Sequence, residues 1–128
     1  MTAFNVFSAE KSPGVFIIYP EGSLDSNTYP TLEEKVRLVT ETTPQLIVFD
    51  LQRLAYISSM GIRVFIKTAK EMKVLGGSVR YVNLQPHIRK VFDIVKVLPP
   101  EQIFTSIEEL DAYLTAIQEK VRAGEMDA

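Results

Sequence analysis

Leu46-Ile47-Val48-Phe49-Asp50-Leu51 is a near-continuous apolar run, rich in β-branched and aromatic residues. Such a run reads as a central strand covered on both faces. On its N-terminal side Pro44 disfavours helix at the residue before it, so the preceding segment is expected to stop being helical near Thr42. In that segment Leu32, Val36 and Val39 share one helical face, and Thr31 with Glu34 forms a capping box just after Pro30. Farther back, Val15–Tyr19 (VFIIY) is a strand closed by Pro20 and Gly22. The turn Ser12-Pro13-Gly14 folds it onto a short edge strand carrying Phe4, Val6 and Ser8.

On the C-terminal side of the run, a loop leads to Ser58 and Ser59. Either can cap a helix whose buried stripe is Ile62, Phe65, Ile66, Ala69 and Met72, ended by Gly76-Gly77. Val79–Val82 is the next strand. Pro86 opens a third helix with Ile88, Val91, Phe92 and Val95 on one face. Pro99-Pro100 then breaks the chain, and Ile103-Phe104 is a short last strand. Ser106 and Glu109 form a second capping box ahead of the apolar stripe Ile107, Leu110, Leu114, Ile117 and Val121. That stripe reads as core, with pairing of two copies through this helix left open. Alternation of strand and helix after an opening hairpin predicts an α/β fold with mostly parallel strands and right-handed crossovers.

Composition narrows the function classes. The 128 residues are 46% apolar and 23% charged, which fits one ordinary domain able to bury a core without disulfide or metal. There is no cysteine and a single histidine, so thiolate zinc, a cysteine nucleophile and a multi-histidine metal site are excluded. A net charge of −2 without a basic run argues against nucleic acid. Residues 1–10 lack a charged leader with an apolar stretch, and no apolar run approaches the ~20 residues of a membrane helix. A cytoplasmic setting is expected.

Enzymatic candidates are few. His87 reads as an exposed helix-end histidine, and Asp50 as a carboxylate that lies at a strand end or accepts hydrogen bonds. No nucleophile–base pair, P-loop or dinucleotide-binding turn is present, so no catalytic residue, metal ligand or cofactor is expected. The most informative segment is Tyr56-Ile57-Ser58-Ser59-Met60-Gly61. Two hydroxyls stand where a helix begins. Plain N-capping explains them, and so does a phosphoserine, because a helix N-terminus favours negative charge.

Several segments, in order, resemble the STAS-domain family, the anti-sigma-factor antagonists. Gly22-Ser23-Leu24-Asp25 is similar to that family's G-x-L-D. Ile47–Leu51 with Leu54 resembles its central strand, and Ser58-Ser59-Met60-Gly61 its phosphorylation motif D-S-[ST]-G. Gly76-Gly77 and Pro86-His87-Ile88-Arg89-Lys90-Val91-Phe92 match the next turn and helix. The resemblance implies one STAS domain over residues 1–122, and residues 123–128 are expected to fray as a terminal tail. Its sheet would be mixed and mostly parallel, of about five strands, with about four helices mainly on one side. It also implies a partner switch. The unphosphorylated protein binds an anti-sigma factor that is a serine kinase. Phosphorylation at Ser59, with Ser58 as the alternative acceptor, releases it, and a serine phosphatase resets it. The kinase holds the nucleotide. Leu24, Asp25, Ser58, Ser59, Met60, Gly61 and Ile62 would form the docking face, exposed around Leu24, Asp25, Ser59, Met60 and Ile62. Ser58 stands where the motif has an acid, and Met60 where it has Ser or Thr. A non-cycling STAS interaction module, such as a stressosome-like scaffold component or an accessory subunit of a transport complex, is the alternative function.

Overall fold

The computed structural model describes residues 3–97 and 106–126. The chain opens with a hairpin of β1 (Asn5–Ser12) and β2 (Val15–Leu24), then α1 (Tyr29–Thr40), β3 (Leu46–Asp50) and β4 (Leu54–Ile57). After these come α2 (Ser59–Val74), β5 (Ser78–Val82), α3 (Pro86–Val97) and α4 (Ile107–Arg122). The main strand order is β1-β2-β3-β5, and β4 pairs with β2 beside this path. Only β1 runs antiparallel, so the sheet is mixed and mostly parallel, as expected.

β2 is longer than its apolar run suggested, because it serves two neighbours in succession along one edge. Val15–Ile18 pair with β3, and Gly22–Leu24 pair with β4. Pro20 falls between the two registers, where a missing N–H breaks neither parallel ladder. The strand expected to close at Pro20 and Gly22 therefore continues to Leu24. The loop expected between Leu51 and Ser58 contains β4, a strand too short to show an alternating pattern. With it the described residues hold five strands; Pro99-Pro100 and Ile103-Phe104, where the last strand was expected, lie outside them.

The core sits on one face of the sheet. Ile18, Ile47 and Phe49 are fully buried there under α1 and α2, with Val6, Phe16, Val79 and Tyr81 packed around them. The other face carries Phe7, Ile17, Tyr19, Val48 and Val82, none of them buried. The expectation that β3 is covered on both faces is corrected accordingly. Leu46 and Val48 are only half-buried, because the helices gather on the side of Ile47 and Phe49.

Helix boundaries follow local chemistry with small shifts. α1 starts at Tyr29, not after Thr31, with Pro30 in its first turn, where the missing N–H is harmless. Ile66 of the expected α2 stripe is 41% exposed, while Val64 and Thr68 are buried instead. Gly76 takes a left-handed φ of +82°, and the Gly77 amide reaches back to Met72 O at 2.7 Å. This is the Schellman closure of α2, and only glycine adopts it without strain. The segment after α4, expected to fray, closes in the same way. Gly124 N–H donates to Val121 O and Glu125 N–H to Lys120 O, so residues 123–125 cap the helix.

Candidate functional site at the strand–helix junction

β4 delivers the chain to α2 at Ser58. The Ser58 amide donates to Leu24 O at 2.8 Å, which ties the start of α2 to the end of β2. Ser58 is extended at the N-cap, and its carbonyl accepts the first intrahelical bond, from Ile62 N–H at 3.0 Å. Its side chain does not cap the helix. Ser58 and Ser59 are 4% and 5% exposed, and neither hydroxyl has a hydrogen-bond partner among the described residues. A buried hydroxyl without a partner costs about 1–3 kcal/mol, so two side by side call for a reason beyond packing.

The helix is instead capped from a distance. Asp111 Oδ1, in α4, accepts the Ser59 N–H at 2.8 Å. No acidic residue lies in the first turn of α2 itself, so this carboxylate is the charge that complements the helix dipole there. One helical turn along α4, Thr115 Oγ1 meets the Tyr56 hydroxyl at 2.8 Å. A further turn along, Gln118 accepts from Ile57 N–H at 3.0 Å and donates to Ile57 O at 2.8 Å. Sequence reading missed all three residues. Their spacing on one face of α4, beside the apolar stripe, was the signal that could have found them.

The junction does not present the expected exposed face. Leu24 is fully buried, Ile62 is 7% exposed, and Ser58, Ser59 and Gly61 are buried too. Gly61 serves close packing rather than access: a Cβ there would lie 2.7 Å from Leu24 Cγ and 2.9 Å from Ile57 Cγ1. Asp25 is half-buried and turned onto its own loop, where Oδ1 accepts the amides of Asn27 at 2.9 Å and Thr28 at 3.1 Å. Met60 is half-buried and opens onto a groove between α1 and α2 lined by Tyr29, Glu33, Arg63 and Lys67. Alternation along the strand and helix sends Leu24 and Ile62 inward, which leaves Met60 and Asp25 nearest to solvent.

Asp50 does what its position required. It ends β3, and its carboxylate accepts from the Gln52 amide and the Asn83 side chain. His87 corrects the expectation of exposure: it is 4% exposed, with Nε2 2.6 Å from Ala55 O. A carbonyl only accepts, so Nε2 carries the proton. Burial lowers the imidazole below its usual value of 6.5; the Ala55 bond opposes this and Arg122 adds to it. A depressed folded-state value means the unfolded chain binds the proton better. Stability is therefore full above the unfolded value and falls as pH drops through it toward the folded one. Urea midpoints should drop between about pH 7.5 and 5.5, and drop less in His87→Gln; equal drops would remove His87 as the cause.

Among the described residues no group of three or more acidic or histidine side chains could hold a metal ion. No described helix is long and apolar enough to cross a membrane.

A mixed sheet with helices gathered on one face, and a serine pair at the junction of β4 and α2, define a recognisable class. The STAS domain family model matches residues 6–110, and the chain belongs to that family. BtrV of Bordetella bronchiseptica, provisionally named an anti-sigma factor antagonist, is 34% identical over 85 residues, covering 66% of this chain and 73% of BtrV. The anti-sigma-B factor antagonist of Bacillus subtilis is 34% identical over 73 residues, 57% of this chain and 66% of that protein. Among solved structures, the anti-sigma factor antagonist SpoIIAA in its unphosphorylated form superposes with a TM-score of 0.60 at 22% identity, over 72% of this chain and 83% of that one. The phosphorylated form of Bacillus SpoIIAA gives 0.57 at 22% identity, over 76% and 86%. These structures share the fold.

Proposed function

We propose that this chain is an anti-sigma-factor antagonist that binds an anti-sigma factor serine kinase when unphosphorylated and is released by phosphorylation at Ser59. One observation carries this reading: Ser59 is the first residue of α2, at the position of the family's acceptor, and its buried hydroxyl has no hydrogen-bond partner among the described residues. The amides of the first helical turn favour an added phosphate. In the transfer, the Ser59 Oγ–phosphorus bond forms as the bond from the γ-phosphorus to ADP breaks, and the hydroxyl proton passes to the kinase's base. The nucleotide belongs to the kinase, and a serine phosphatase would reverse the step by hydrolysis. Met60 and Asp25 are the accessible part of the docking face, with Leu24, Ser58, Gly61 and Ile62 supporting it from beneath. The setting of such a switch is the cytoplasm.

Ser58 in place of the motif's acid favours one second reading, a STAS interaction module that does not cycle. Peptide mass spectrometry after incubation with ATP and host lysate separates the two. Phosphate on Ser59 supports the switch, and phosphate on Ser58 moves it by one residue. Phosphate on neither, in a lysate active on a control antagonist, supports the module. Once the kinase is in hand, Ser59→Asp should weaken its binding by about 1–3 kcal/mol in calorimetric titration, through charge placed in the docking face. Unchanged affinity would count against the switch.

A further inference from the structure

Three residues on one face of α4 hold the junction that carries the acceptor. Gln118 engages both backbone groups of Ile57, as a neighbouring strand would, so α4 stands in for a strand beside β4. Thr115 ties down Tyr56, one residue earlier. Asp111 occupies the amide of Ser59 itself. The serine pair is buried at this contact.

We infer that α4 is a gate on Ser59: docked, it withholds the hydroxyl from a kinase, and a phosphate on Ser59 expels it. The inference rests on the reading of Ser59 as acceptor. A phosphate there would bring about −1.5 to −2 charges against the Asp111 carboxylate. It would also compete for the amide that Asp111 holds. Among the described residues no lysine or arginine pairs with Asp111, so no ion pair neutralises the carboxylate that would face the phosphate. A docked α4 and a phosphorylated Ser59 therefore oppose each other, and by linkage each disfavours the other equally. Ser58, uncharged where the family motif has an acid, leaves room for this carboxylate from α4. An acid at position 58 would repel Asp111 even before phosphorylation.

The test uses the full chain and needs no kinase at first. Hydrogen exchange is followed in wild type, Ser59→Asp, the neutral near-isostere Ser59→Asn, and the double variant Ser59→Asp with Asp111→Asn. In Ser59→Asp, exchange at Ile57 and through residues 107–118 should rise about tenfold or more, the scale of losing a charge-assisted hydrogen bond. In Ser59→Asn it should rise less, and in the double variant it should return to the Ser59→Asn level. Equal exchange in Ser59→Asp and Ser59→Asn, or no recovery in the double variant, would overturn the gate. So would a rise shared by the β3 amides, which would mark general loss of stability. In lysate with ATP, Asp111→Asn should take up phosphate at Ser59 several-fold faster than wild type. An unchanged rate overturns the gate and leaves Ser59 as acceptor. Phosphate on no variant removes the acceptor reading, while the exchange experiment still decides whether charge at position 59 releases α4.

Discussion

Phe49→Ala should lower the stability of the domain by about 3–5 kcal/mol, the range for removing a buried aromatic side chain. Phe49 is fully buried, one residue before the end of β3. Its ring meets Phe65 of α2 edge-on at 4.8 Å and stacks on Tyr81 of β5 at 5.8 Å. Phe92 of α3 closes the cluster against Tyr81 at 5.1 Å. Burial in this cluster pushes the Tyr81 phenol up to about 12. Removing Phe49 thus opens a void between the sheet and two helices, each held by its own backbone ladder and unable to collapse fully. Urea denaturation checks the value, and a loss below about 1.5 kcal/mol would mean the core refills the space. Phe49→Leu should recover part of the loss, because it restores volume without the edge-to-face contacts.

Gln118→Leu should cost about 2–6 kcal/mol although it replaces a polar side chain by an apolar one of similar size. The reason lies in the partner. Ile57 is fully buried, and both its amide and its carbonyl rely on the Gln118 side chain. Leucine would fill the space and leave both backbone groups unpaired, at roughly 1–3 kcal/mol each. A surface glutamine would give a change within about 0.5 kcal/mol, so the denaturation midpoint discriminates clearly. The loss should appear first as faster exchange of the Ile57 amide. An Ile57 amide still protected in the variant would show that another group satisfies it and that the contact is not what anchors α4.

The two variants differ in how far the sequence announced them. Phe49 stands in an apolar run whose reading requires only neighbouring residues. Gln118 is a polar residue in an otherwise ordinary amphipathic helix, and its partner is 61 positions away. His87 is similar: beside Pro86 it looks like an exposed helix end, but α3 turns it onto the Ala55 carbonyl 32 positions back. The junction itself was legible as a motif, with two serines between a loop and an apolar helix. Its accessibility was not, because a motif carries no information about what packs over it.

By itself the sequence determined the order of the described elements apart from β4, the hairpin, the end of α2 at Gly76 and the core positions Ile47, Phe49, Ile88 and Val91, since turn chemistry and periodicity act over a few residues. Tertiary structure alone decided that β3 is covered on one face, that β4 exists as a strand, and that α4 lies across Ser59. Each of these depends on which surface a distant element finds to bury. The contact between Asp111 and Ser59 spans 52 residues. Only the packed chain brings that carboxylate to the first amide of α2.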